Sequence, residues 1–201
     1  THRLSSAASD VYKRQGEISS GYASLEEIRN ALIDFKKSGK FITTYSEIYT
    51  QRAYYLASVA NYICMYPEGG LDLKGINSTV TFFTNALKKM GIEPQVIRHG
   101  KFKSAVEPFM LTEMSDENRA QVEIYMGSLW NTYTQNIALN RGVSSNRLNE
   151  IINNFEIKTP KDAVKLGLID SLFYEDQFHK HLVFLSHEDT YEDIKLSLIH
   201  I

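Results

Sequence analysis

Phe41-Ile42-Thr43-Thr44-Tyr45, then Tyr49 to about Asn61, then Ile63-Cys64-Met65-Tyr66, is the stretch that decides the fold. The first segment is β-branched and aromatic, so it reads as a strand. The second returns Ala53, Leu56, Ala57 and Ala60 at helical spacing, and those small side chains let a helix lie close to a sheet. The third is a short, wholly apolar strand, with Pro67-Glu68-Gly69-Gly70 as its stop. A strand, a helix and a strand in this order point to parallel pairing through a crossover.

The same alternation extends both ways. Upstream, Ser24-Leu25-Glu26-Glu27 reads as a capping box ahead of a helix carrying Leu25, Ile28, Leu32 and Phe35, with Gly39 as its left-handed stop. Downstream, 71–75 reads as a short strand. Ser78 then heads a helix over 79–90 with Val80, Phe83, Leu87 and Met90 inward, and Pro94 to Arg98 is the next strand. After Gly100 the pattern turns helical. Ser115 caps a helix over about 116–140, with Val122, Met126, Leu129, Tyr133 and Ile137 on one stripe and Gly142 as its stop. Ser145 opens another helix with Leu148, Ile152 and Phe155, and Thr159-Pro160 starts a third that closes at Gly167. The expected fold class is α/β, a mostly parallel sheet flanked by helices and followed by a helical extension.

Composition narrows the function classes. With 201 residues and 43% apolar side chains, the chain is large enough to fold without a disulfide or metal. Twenty-two Lys and Arg against 24 Asp and Glu leave a net charge of −2, so no nucleic-acid partner is expected on electrostatic grounds. A lone cysteine, Cys64, excludes a disulfide framework within the chain. No window approaches the length of a membrane-spanning helix. Residues 1–15 show neither helical nor strand periodicity, and together with 196–201 they resemble translated adapter sequence. Both ends are expected to be non-native and the chain to be a fragment.

Chemistry concentrates in one place. There is no phosphate-binding glycine loop, no nucleophile elbow and no helical zinc motif. His179-Lys180-His181 does not put two ligands on one helix face, so that stretch reads as a solvated face and no metal is expected. In Arg98-His99-Gly100-Lys101-Phe102-Lys103-Ser104-Ala105-Val106-Glu107-Pro108-Phe109, two lysines stand beside Phe102, Ala105, Val106 and Phe109. A lysine in apolar surroundings loses solvation of its charged form and can serve as a general base. Spacing alone leaves open the commoner alternative, exposed charges beside a structural turn.

The segment from Gly100 to Phe109, followed by Met114-Ser115, resembles the G-x-Y-K-S-A-x-E-P-F … M-S signature of the signal peptide peptidase A (SppA, protease IV) family. Upstream, Tyr54-Tyr55-Leu56-Ala57-Ser58, Ala60-Asn61 and Pro67-Glu68-Gly69 are similar to its Y-Y-L-A-S-x-A-(D/N) and P-x-G segments. Downstream, Trp130, Arg141 and Ala163 with Gly167-Leu168-Ile169-Asp170 fit its W, R and A-x-x-x-G-L-(V/I)-D. The likeness runs from about Gly16 to Tyr174.

That resemblance implies a crotonase/ClpP-like α/β domain over 16–112, a helical extension of the same domain over 113–182, and a tail over 183–201. It also implies a serine endopeptidase of cleaved signal peptides, with a Ser–Lys dyad divided between two tandem copies. Lys103 falls on the family lysine, while Lys101 takes a variable position. Gln51 stands where the nucleophilic serine of the other copy would be, and an amide cannot serve as an acyl nucleophile. The chain therefore matches the amino-terminal copy and lacks the serine. A dry pocket lined by Phe102, Val106 and Phe109 is expected around Lys103. Ser58 reads as a helix-packing residue, and Tyr54 and Tyr55 as core or interface aromatics. No cofactor is implied. The implied partners are a peptide substrate, the carboxy-terminal domain and further copies in a homo-oligomer. The implied location is the extracytoplasmic side of the bacterial inner membrane, held through an upstream anchor. Two other classes stand beside it: a non-catalytic assembly module, with Met126, Leu129, Trp130 and Tyr133 at an inter-subunit surface, and a crotonase-fold acyl-CoA enzyme, which shares the architecture without a residue signature in this sequence.

Overall fold

The computed structural model describes residues 18–97, 99–100 and 102–194. The ends at 1–15 and 196–201, and Lys101, lie outside the described residues. The chain forms two compact units, one built from the part up to Lys74 and the part from Thr134 onward, the other from Gly75–Tyr133.

The first unit is organised on a three-stranded parallel sheet in the order β1 (Thr43–Tyr49), β2 (Tyr62–Leu71), β3 (Ser171–Leu172). Helix α1 (Tyr22–Lys36) precedes β1, and α2 (Gln51–Ala57) makes the crossover to β2. This is the α/β architecture the sequence implies. Thr50 caps α2 with its hydroxyl, accepting from the Ala53 N–H at 3.3 Å. The crossover then buries Tyr54, Tyr55, Leu56, Ala57 and Ala60 against Ile63, Cys64 and Met65 of β2 in the core.

Pro67-Glu68-Gly69-Gly70 is not a stop. β2 runs through it to Leu71 because the ladder skips rather than ends. Ser46 pairs with Met65, Ile48 pairs with Gly70, and Tyr66 to Gly69 bulge away between them. Pro67, which has no N–H to give, falls inside the bulge. Gly69 is demanded there, since a Cβ would lie 1.9 Å from the carbonyl oxygen of Glu47.

The anticipated capping box at Ser24 does not form. α1 starts at Tyr22, and the Leu25 N–H already donates to the Gly21 carbonyl at 3.1 Å. Glu26 accepts from the Tyr55 hydroxyl, which in turn accepts from Asn136 Nδ2 at 2.7 Å. Arg29 is buried in the same cluster, with its guanidinium 5.0 Å from the Tyr55 ring and Nη2 donating to the Asn136 carbonyl at 2.8 Å. Ser24 is thus the third residue of the helix rather than its cap, and the polar cluster on Tyr55 is a separate tertiary feature.

The second unit carries α3 (Thr84–Lys89), α4 (Glu107–Met110) and the amino-terminal part of α5 (Asp116–Arg141). α3 is half the expected length, and 92–97 is not in a strand. The long helix is where the pattern put it, with Ser115 Oγ accepting from the Asn118 N–H at 3.2 Å. In the first unit α6 (Ser145–Asn153), α7 (Pro160–Lys165) and α8 (Glu175–Ser186) follow. Ser144, one residue before the expected Ser145, caps α6 by accepting from the Arg147 N–H. Thr159 and Asp162 form a complete capping box on α7. Phe155 is exposed at a positive φ of 51° rather than packed inward.

Arg141 joins three parts of the first unit. Its Nη1 and Nη2 donate to the Asp170 carboxylate at 3.1 and 2.6 Å, and Nη2 and Nε reach the Gly167 carbonyl at 2.9 and 3.1 Å. Asp170 Oδ2 in turn accepts from the Ile63 N–H at 2.7 Å, at the start of β2. The end of α5, the turn after α7 and the central strand are locked together by one planar guanidinium.

Candidate active site

Lys103 stands in the second unit at the head of a 3-10 turn, Ser104–Val106, which leads directly into α4. Its backbone (φ −89°, ψ 80°) is neither helical nor standard strand, and its side chain belongs to an exposed residue. Phe102 is 62% exposed and Phe109 43% exposed, and Val106 is only half-buried. The expected dry pocket is therefore not built by these three side chains. The turn directs burial elsewhere: the wholly buried residue of this segment is Glu107, four positions on.

Glu107 is held from α5. Its Oε1 accepts from the Ser115 hydroxyl at 2.6 Å, and its Oε2 from Asn118 Nδ2 at 2.9 Å and the Ser115 N–H at 3.3 Å. On the other side, the Pro108 carbonyl accepts from the Phe83 N–H at 2.7 Å, and the Leu111 carbonyl accepts from the Thr84 hydroxyl at the head of α3. Phe83 and Phe109 stack with centroids 6.0 Å apart. A short segment with little core of its own is thus fixed at its buried carboxylate and at its carbonyl end. Lys103 lies four residues before the buried carboxylate. The sequence showed Glu107 as one letter of a motif and gave it no task. Its signal was an acid followed by Pro and, eight residues on, by a cap serine.

The remaining candidates have structural work. Gln51 opens α2, and its Oε1 accepts from the Lys74 N–H at 3.2 Å. Ser58 is fully buried and donates to the Tyr55 carbonyl at 2.8 Å, as a packing residue would. Tyr54 donates to the Leu168 carbonyl at 2.7 Å, and burial pushes its hydroxyl well above the usual phenol range. Tyr55 is pushed up to about 12, by burial first and then by its bond to Glu26. Neither phenol is poised to exchange protons near neutrality. Burial likewise raises the Cys64 thiol to about 12, which makes it inert rather than nucleophilic. The histidines of α8 diverge: His179 stacks on Tyr191 at 4.0 Å, while His181 packs against Tyr62 and Phe173. His181 is thus half-buried among aromatic rings rather than part of a solvated face. Among the described residues no group of three His, Cys, Asp or Glu side chains is placed to hold a metal ion.

The sequence profile of peptidase family S49 matches residues 34–186, and the chain belongs to that family. It is 36% identical over 124 residues to Protease 4 of Haemophilus influenzae, an alignment covering 62% of this chain and 20% of that protein. Over 169 residues it is 32% identical to the chloroplastic serine protease SPPA of Arabidopsis thaliana, covering 83% of this chain and 24% of that one. Protease 4 of Salmonella typhi is 38% identical over 125 residues, covering 62% and 20% respectively. The chain spans a fifth to a quarter of the length of these relatives.

Proposed function

We propose that this chain supplies the general base, Lys103, of a serine endopeptidase whose nucleophilic serine belongs to a second, similar domain. The observation that carries the reading is the presentation of Lys103: an exposed amine on a turn fixed through Glu107, with a glutamine, Gln51, at the position that would bear the serine. In its neutral form Lys103 takes the proton of the serine hydroxyl as the serine oxygen attacks a peptide carbonyl. The ammonium then gives that proton to the departing amine. A water molecule, deprotonated by the same lysine, hydrolyses the acyl-enzyme. Docking of the serine-bearing domain over Phe102 and Phe109 supplies the apolar enclosure that these side chains do not provide alone, and an enclosed amine favours its neutral form. The substrates in this reading are cleaved signal peptides, met on the extracytoplasmic side of a bacterial inner membrane by an oligomer of anchored chains.

The test is a peptidase assay on the complete natural gene product that contains this chain. Lys103→Ala and Lys103→Arg are expected to lower turnover by on the order of 10³-fold, as loss of a general base does, while circular dichroism and Tm stay near wild type. Full turnover in Lys103→Ala would overturn the assignment. Loss in Lys101→Ala with Lys103→Ala active would move the base two residues.

A further inference from the structure

We infer that Glu107 is a positioning residue for Lys103, holding the lysine turn in register with α5; the inference rests on the reading of Lys103 as the base. Glu107 is the first residue of α4, and the 3-10 turn between it and Lys103 leaves the two residues one helical turn apart. A carboxylate that is 0% exposed has exchanged water for fixed partners, and these include the Ser115 hydroxyl, the Ser115 N–H and the Asn118 amide. Two of these donors sit at the cap of α5, and the third is in its first turn. Their geometry is set by a helix of 26 residues, so the carboxylate inherits the rigidity of that helix. The turn that carries Lys103 is short and largely exposed, with no core of its own to fix it. Removing the buried acid would leave Lys103 present but free to wander. An error of about 1 Å in a reacting group is enough to cost on the order of 10²-fold in rate.

The hydrogen-bond pattern separates two substitutions. Glu107→Gln keeps an acceptor for Asn118 Nδ2 and the Ser115 N–H and can turn its NH₂ to the Ser115 hydroxyl, whereas Glu107→Met keeps the length and removes every acceptor. In the complete natural gene product, Glu107→Met is expected to lower kcat roughly 10- to 100-fold with KM within about twofold of wild type. Glu107→Gln should recover most of that kcat. Asn118→Ala should lower kcat by a smaller factor and serves if Glu107→Met does not fold. Three results would overturn the inference: wild-type kcat in folded Glu107→Met or Asn118→Ala, a loss confined to KM, or a Gln variant no better than the Met variant. Lys103→Ala separates the two readings. If that variant turns over normally, the lysine assignment falls. If it is inactive while Glu107→Met is fully active, only the positioning role falls.

Discussion

Replacing Arg141 by Met is the sharpest test of how the first unit is held together. The guanidinium makes four hydrogen-bonding contacts, two to the Asp170 carboxylate and two to the Gly167 carbonyl. The side chains are 8% and 32% exposed, so the pair lies between a surface ion pair and a buried one. A net value of about 1.5–3 kcal/mol holds for a single hydrogen bond to a charged group, and a fully buried pair broken on one side costs about 3–5 kcal/mol. Discounting for the water that reaches Asp170, and for the Ile63 N–H that remains bonded to it, leaves an expected loss of about 2–3 kcal/mol. For a chain of this size that corresponds to a drop in Tm of roughly 4–12 °C. Urea unfolding followed by far-UV circular dichroism measures the loss. A double-mutant cycle with Asp170→Asn should return a coupling of about 1–2 kcal/mol. A Met variant within about 0.5 kcal/mol of wild type, or strictly additive substitutions, would refute the view that this clamp joins α5 to the central strand.

Two further outcomes follow from the core. Gly69→Ala should destabilise the chain by about 1–3 kcal/mol, because the new Cβ meets a backbone oxygen that can retreat only by disturbing the ladder; unfolding in urea measures it, and an unchanged midpoint would show that the bulge is not packed as described. Cys64 should resist a thiol-reactive disulfide at pH 8 in the native chain and react fully once unfolded, since burial holds its thiol near 12, and rapid native labelling would contradict that environment.

What was legible in the sequence was local. Ser115 and Thr159 cap their helices as their spacing says, and the Tyr54-to-Ala60 face packs where its small residues allow. Ser24 loses its cap role because the helix begins two residues earlier, at Tyr22, with Gly21 before it. The other failures are places where a distant partner decides. Pro67 does not end β2 because β1 accepts a bulge, whose one local sign was Gly69. Strand propensity belongs to a segment but a ladder belongs to a pair, so 94–97, the described part of the strand expected over Pro94–Arg98, has the composition of a strand without forming one. At the candidate site the lysine was marked by its motif, and the burial of Glu107 beside it was hidden. Apolar neighbours in sequence suggested a pocket, yet the turn buries Glu107 and leaves Lys103 and Phe102 outward. Arg141 and Asp170 were legible as marks of a family, and only the fold showed them as one clamp.

The division of the catalytic pair is tested most directly by labelling the complete natural gene product with a fluorophosphonate, a reagent that bonds to activated serines, and mapping the adduct by peptide mass. The expected result is a single adduct on a serine outside this 201-residue sequence, its formation suppressed by Lys103→Ala, and no adduct on the 201-residue chain alone. An adduct on Ser58, Ser104 or any other serine of this chain would contradict it.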